Sequence, residues 1–159
     1  MRFLEEAKND LPRMITIQNP YSLLNRQFEV GNAEVSMQEN VGLLAYSPLG
    51  CGVLSGKYIE KKDSPSSRLN LFKRFVRYSS NQSTEAAKHY LEIANKHNLS
   101  LTSLALAFIN QQPFVTSNII GATNLDQLQE NIDSIYVSLS KDVLKEIEKV
   151  HEMIPDPAT

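Results

Sequence analysis

Three short β-branched apolar runs punctuate a chain whose remaining apolar residues fall at helical spacing. Strands are predicted at 14–18 (Met14-Ile15-Thr16-Ile17-Gln18), at 41–45 (Val41-Gly42-Leu43-Leu44-Ala45) and at 115–120. The run at 41–45 does not alternate with polar residues, and an apolar run without alternation reads as a strand buried on both faces of a parallel sheet. Residues 1–9 read as the tail of a helix, with Phe3, Leu4 and Ala7 on one face, closed by Asn9, Asp10 and Pro12. Residues 21–26 form a loop and 33–39 a weak helix. Ala86, Tyr90, Ile93 and Ala94 stripe a helix capped by Asn81 or Ser83, running to His97 and ended by a left-handed Asn98. Ser100 or Thr102 starts the next helix, 101–111, apolar almost all round and therefore buried. Thr123 or Asn124 caps a helix whose apolar face is Leu125, Leu128, Ile132 and Ile135. Ser140 caps the last one, with Val143, Leu144, Ile147 and Val150 inward and Asp142 against its positive end. Pro155 and Pro157 finish the chain.

Strand–helix alternation implies a parallel sheet with crossover helices. Three strands are too few for a closed eight-stranded barrel of about 250 residues. An open sheet of three leaves two edges unpaired. Ile15, Ile17, Leu43, Leu44, Ile119 and Ile120 are expected to contribute to an uncovered apolar surface, so the isolated chain is expected to self-associate or to need a first-half partner.

Composition narrows the chemistry only at the margins. Sixteen Lys and Arg against 18 Asp and Glu give a net charge of −2, which makes no electrostatic case for nucleic acid or an anionic membrane. No apolar run reaches the length of a membrane span, no signal-peptide core stands at the start, and the single cysteine, Cys51, suits a reducing compartment; the expectation is a cytoplasmic protein. His89, His97 and His151 lack metal-ligand spacing, so no metal site is expected. The run 72–78 interleaves aromatics with bases and reads as a solvated amphipathic turn whose aromatics dock on the body.

The candidate site is the turn after the second strand, Tyr46-Ser47-Pro48-Leu49-Gly50-Cys51-Gly52. Pro48 fixes the backbone, Gly50 and Gly52 admit positive φ and close approach, and Tyr46 offers a flat face at the strand end. Loops at the carboxyl ends of parallel strands are where α/β folds place ligands.

Four stretches, in order and at compatible spacing, carry a resemblance: Ile17-Gln18-Asn19-Pro20-Tyr21-Ser22-Leu23-Leu24-Asn25-Arg26; Ala45-Tyr46-Ser47-Pro48-Leu49-Gly50; Ser55-Gly56-Lys57-Tyr58; and Gly121-Ala122-Thr123-Asn124 with Gln127-Leu128 and Glu130-Asn131. Over nearly its whole length the chain resembles the aldo-keto reductases, in the branch of the Tas-like reductases and potassium-channel β-subunits. The resemblance implies an α/β fold, the carboxyl-terminal half of a (β/α)8 TIM barrel, with residues 1–159 as a partial domain holding strands six to eight. It implies an oxidoreductase that reduces aldehydes and ketones with NADPH. The family's catalytic Asp, Tyr, Lys and His lie in the first half, so no catalytic residue carries over to this sequence.

Cofactor residues do carry over. By resemblance Gln18 meets the nicotinamide carboxamide and Tyr46 stacks on the nicotinamide ring. Ser47, Pro48, Leu49, Gly50 and Cys51 surround the pyrophosphate. Lys57 and Arg68 belong to a loop that folds over the cofactor. Gly121, Thr123 and Gln127 form the last strand-to-helix turn near the 2′-phosphate, with Glu130 and Asn131 at the adenine. Some family members carry Lys and Arg where this chain has Gly121 and Gln127, which leaves Lys57 and Arg68 to supply the positive charge that selects NADPH. Three readings remain open: a split or truncated reductase acting on a small carbonyl substrate, a non-catalytic nucleotide-binding or assembly module, and an inactive gene fragment.

Overall fold

The structure, a computed structural model, describes residues 2–9, 11–72 and 76–159. Asp10, expected to close the first helix, and residues 73–75 of the aromatic-basic run lie outside the described residues. The three expected strands form: β1 Thr16–Pro20, β2 Gly42–Tyr46 and β3 Val115–Asn118. They pair in parallel in the order β1-β2-β3, with Gln18 opposite Leu44 and Pro20 opposite Tyr46. A register shift between Leu43 and Leu44 lets Thr116 bulge over Gly42, where a Cβ would fall 1.7 Å from the Thr116 hydroxyl.

Burial on both faces does not hold for β2. Leu43 and Ala45 are fully buried, whereas Gly42, Leu44 and Tyr46 are half-exposed. Helices cover only one side of the sheet. Leu43, and Ile17 paired with it, therefore belong to the core side and not to the uncovered surface, whereas Ile15 and Ile119 are exposed as expected.

Seven α-helices accompany the sheet among the described residues: α1 Arg2–Glu6, α2 Asn32–Glu39, α3 Arg68–Leu71, α4 Asn81–Lys96, α5 Leu101–Asn110, α6 Leu125–Asp133 and α7 Lys141–Met153. Helix α5 buries eight of its ten residues between the sheet and its neighbours, matching its all-round apolar sequence. α4 packs on α5 and α7, so Tyr90 and Ile147 are both fully buried.

One capping geometry starts α4, α5, α6 and α7. Ser80, Ser100, Asn124 and Ser140 each accept a hydrogen bond from the amide three residues on, each worth about 1 kcal/mol. For α4 the cap is Ser80, not Asn81 or Ser83. Ser83 sits one turn in, and its hydroxyl donates instead to the carbonyls of Arg77 (2.8 Å) and Pro157 (2.9 Å).

The loop after β1 is the most deeply buried connection. Tyr21 to Arg26 are all buried, folded by reciprocal Ser22–Asn25 backbone hydrogen bonds. Arg26 donates to Glu29 (2.7 Å) and to Glu148 of α7 (2.9 Å), with its guanidinium 5.2 Å over the Phe108 ring. Burial works to raise the Glu29 pKa, but hydrogen bonds from Arg26 and Tyr21 and the Arg26 charge outweigh it and hold the carboxyl below its usual range. The carboxyl-terminal segment completes this region. The Ala158 amide donates to the Leu24 carbonyl (3.0 Å), and the Asn25 side chain donates back to Ala158 (3.2 Å).

Candidate functional site at the carboxyl ends of the strands

Gln18 stands exposed on β1, on the uncovered side of the sheet with Leu44 and Tyr46 because alternate strand residues share a face. Tyr46 ends β2, half-buried between Pro20 of β1 and the chain leaving β3, where the Ile119 amide donates to the Ala45 carbonyl (2.8 Å).

Directly after Tyr46 the backbone turns on itself. Ser47, Gly50, Cys51 and Gly52 all have positive φ (56°, 51°, 56° and 92°), and the Gly50 amide donates to the Ser47 carbonyl at 2.9 Å. Pro48 is buried and Leu49 packs on the core. At Gly50 a side chain is excluded twice, by φ and by space: a Cβ would lie 3.2 Å from both Leu24 and Tyr78. Tyr78, a residue the sequence reading did not assign to the site, thus props the turn from below. Its place at the end of an aromatic-basic run was the available signal.

Lys57 reaches back over Gly52, where a Cβ would come within 2.9 Å of its Nζ, and its ammonium lies 5.2 Å from the Tyr58 ring centroid. Arg68 opens α3, exposed. Neither Lys57 nor Arg68 makes an ion pair among the described residues. Burial pushes the Cys51 thiol pKa up, and Arg68, Arg77 and Lys57 work against that rise.

The turn after β3 is open. Gly121 is exposed with nothing within 4 Å of where its Cβ would be. Gln127 accepts from both the amide and the hydroxyl of Thr123, each at 3.0 Å, while Asn124 caps α6. Asn131 is buried and donates to the Gly121 carbonyl (3.2 Å), which fixes the turn from inside. Glu130 accepts from Ser100, the cap of α5. Tyr46 with the turn through Gly52 and the turn from Gly121 therefore stand at the carboxyl ends of two adjacent parallel strands, whereas Gln18, expected to end a strand over 14–18, lies in the middle of β1 because the pairing with β2 runs on through Pro20. A separate cavity of about 240 Å3 lies between the loop after β2 and the start of α4, lined by Val53, Tyr58, Leu69, Tyr78 and Thr84 among others. Among the described residues no group of three or more His, Cys, Asp or Glu could hold a metal ion, and no helix is long and apolar enough to cross a membrane.

Parallel strands in chain order, helices on one side and ligand-type turns at the carboxyl ends define an α/β protein consistent with part of a TIM barrel. The chain belongs to the aldo/keto reductase family, whose model matches residues 2–152. It is 55% identical over 159 residues to Protein tas of Escherichia coli (strain K12), covering 99% of this chain and 46% of that protein. It is 37% identical over 166 residues to an aldo-keto reductase of Babesia bovis, covering 99% and 58%. An uncharacterized oxidoreductase of Bacillus subtilis, YrpG, is 27% identical over 167 residues, covering 96% and 44%. The chain spans about half the length of the curated relatives it matches.

Proposed function

We propose that the chain is the carboxyl-terminal half of an NADPH-dependent aldo-keto reductase barrel, holding strands six to eight and most of the dinucleotide site. The catalytic Asp, Tyr, Lys and His belong to a first half outside this sequence. The observation that carries the reading is that the Ser47–Gly52 turn and the Gly121–Asn124 turn leave the same edge of the parallel sheet, next to Tyr46 at the end of β2 and with Gln18 on the neighbouring β1.

The residues fit such a cofactor. Bound NADPH would supply the hydride for a carbonyl carbon. The Gln18 amide, exposed on the open face, has the donor and the acceptor that a carboxamide needs. Tyr46 presents a ring held by its neighbours on both sides, and aromatic stacking adds about 1 kcal/mol beyond area burial. Gly50 and Gly52 let a diphosphate approach main chain, and Lys57 and Arg68, free of carboxylate partners, balance its charge. Thr123 and Gln127 stand hydrogen-bonded to each other at the positive end of α6, where a 2′-phosphate would meet the Gln127 amide NH2 and take over the Thr123 donors, with Glu130 and Asn131 one turn further on for the adenine.

Fluorescence titration tests the binding half of the reading. NADPH should bind the chain, and Tyr46→Ala should weaken it about tenfold; equal affinities would overturn the assignment of Tyr46. Purified chain should show no NADPH-dependent reduction of 4-nitrobenzaldehyde, because a general acid contributes about 10²- to 10⁴-fold and is missing. Clear turnover would refute the missing-donor reading. The uncovered sheet face and the exposed α6 stripe are the surfaces a first-half partner, or a second copy, would cover. Sedimentation should show self-association that the pair Leu128→Lys and Ile132→Lys relieves, and a monomer before substitution would count against it.

A further inference from the structure

The described part of the run 72–78 behaves as expected of a solvated turn whose aromatics dock on the body, with Arg77 exposed and Tyr78 buried, and the docking place is the turn after β2. Residues Val76–Ser79 form one turn of 3-10 helix that packs against the Gly50–Ser55 segment, as does α3 with Arg68. Tyr78 is buried against Gly50. Arg77 is exposed, and its guanidinium lies 5.3 Å from the centroid of that same Tyr78 ring. The Arg77 backbone is anchored as well, because its carbonyl accepts from Ser83, whose own amide is held by the Ser80 cap. This is a cation on a fixed mount beside the turn.

Three cations thus border one segment: Lys57 lies over Gly52, Arg77 lies over the Tyr78 ring that backs Gly50, and Arg68 opens the helix packed on Gly50–Ser55; all three charges also act on the half-buried Cys51 thiol. None of the three is in an ion pair among the described residues. The nearby acids are engaged elsewhere: Glu60 pairs with Lys62 at 3.0 Å, and Asp63 accepts from Asn70 at 2.8 Å. Three like charges gathered without a counter-charge, on a chain of net charge −2, are stabilised by a bound polyanion.

We propose that Arg77 is a third anion-binding residue of this site, acting with Lys57 and Arg68 on the diphosphate of the ligand. The proposal rests on the dinucleotide reading for the identity of that ligand, and on the cation geometry alone for its chemical class.

Cys51 is the only cysteine, so its alkylation by iodoacetamide reports on this turn and nothing else. The rate is measured on the full chain with increasing inorganic pyrophosphate, and separately with NADPH, for the unsubstituted protein, Arg77→Gln and Arg77→Lys. Pyrophosphate should slow alkylation several-fold. Half-protection should need about tenfold more pyrophosphate in Arg77→Gln and return toward the original value in Arg77→Lys, with a weaker salt dependence in the glutamine variant. Arg77 is exposed, so both variants should keep the parent urea midpoint, and the lysine variant serves as the reference if the glutamine one does not fold. Equal protection of all three proteins, or no protection by either ligand, would overturn the proposal. Protection by pyrophosphate and not by NADPH would uphold the cation cluster and refute the dinucleotide reading. Protection by NADPH alike in the parent and Arg77→Gln would uphold that reading and remove Arg77 from it.

Discussion

Helices α6 and α7 have the same design in sequence and opposite fates in structure. Each begins with a side-chain cap on the amide three residues on, and each carries an apolar stripe at helical spacing. In α7 the stripe is core: Val143, Ile147 and Val150 are buried against α4. In α6 it faces out, with Leu125 80% and Ile132 48% exposed, and Ile135, expected on the same stripe, lies past the helix end in a 3-10 turn, exposed as well. An amphipathic pattern thus states which face requires a partner, not whether that partner lies within the same chain. The sheet repeats the contrast across its thickness, with Leu43 and Ala45 covered and Leu44 and Tyr46 open.

The largest expected effect contrasts the two helices directly. Ile147→Ala should lower stability by about 3 kcal/mol in urea denaturation, since it leaves a cavity in a closed core. Ile132→Ala, on the open stripe, should stay within about 0.5 kcal/mol. Similar losses at both sites would mean that α6 is covered in solution.

Two glycines sharpen the point at the backbone. Gly42→Ala should cost about 1–3 kcal/mol because its Cβ would overlap Thr116. Gly121→Ala meets open space, so the denaturation midpoint should not move, while NADPH affinity should fall if a ligand packs there. A stable Gly42→Ala protein would show that the β2–β3 bulge relaxes freely.

Caps give a smaller test of the same contrast. Ser140→Ala should lower global stability by about 1 kcal/mol. Asn124→Ala should speed amide exchange in α6 with little effect on the global midpoint, because a helix with an unburied stripe opens locally. Equal global losses would show α6 folding as one unit with the rest.

The smallest effect is in pH. The Glu29 pKa is held down in the folded state, so its contribution is fully present above the unfolded carboxyl value of about 4.3 and is lost as pH falls below it toward the folded value. Urea midpoints from pH 6 to 3 should fall less steeply in Glu29→Gln than in the parent. Parallel curves would assign the acid sensitivity to other carboxyls.

Much of this was legible in the sequence. The strands announced themselves by β-branched runs, and α5 by being apolar all round. Tyr46 and the turn after it were marked by Pro48 and two glycines. What could not be read depended on contacts far apart in the chain. Arg26 looks like a surface base until Glu148 of α7 arrives beside it, and Ser80 competes with Asn81 and Ser83 for one cap until Arg77 and Pro157 engage the Ser83 hydroxyl. Burial on both faces of β2 was inferred from an apolar run without alternation, a local pattern that is blind to whether an opposing layer exists. At the site, residue types indicated a ligand-facing turn, but only the fold set Arg77 on the Tyr78 ring beside Gly50.

The hydrogen bond from Asn25 to Ala158 joins residues 133 positions apart, which has a consequence for how the protein is made. The turn at Ser22–Asn25 is synthesised well before Ala158, so until residue 158 has been made the Leu24 carbonyl must keep its water or a chaperone contact. The buried turn that leads from Gln18 toward the core therefore cannot be sealed in the order in which the chain is made, and a ribosome stalled a few codons short of Ala158 would hold a chain in which this turn is still open.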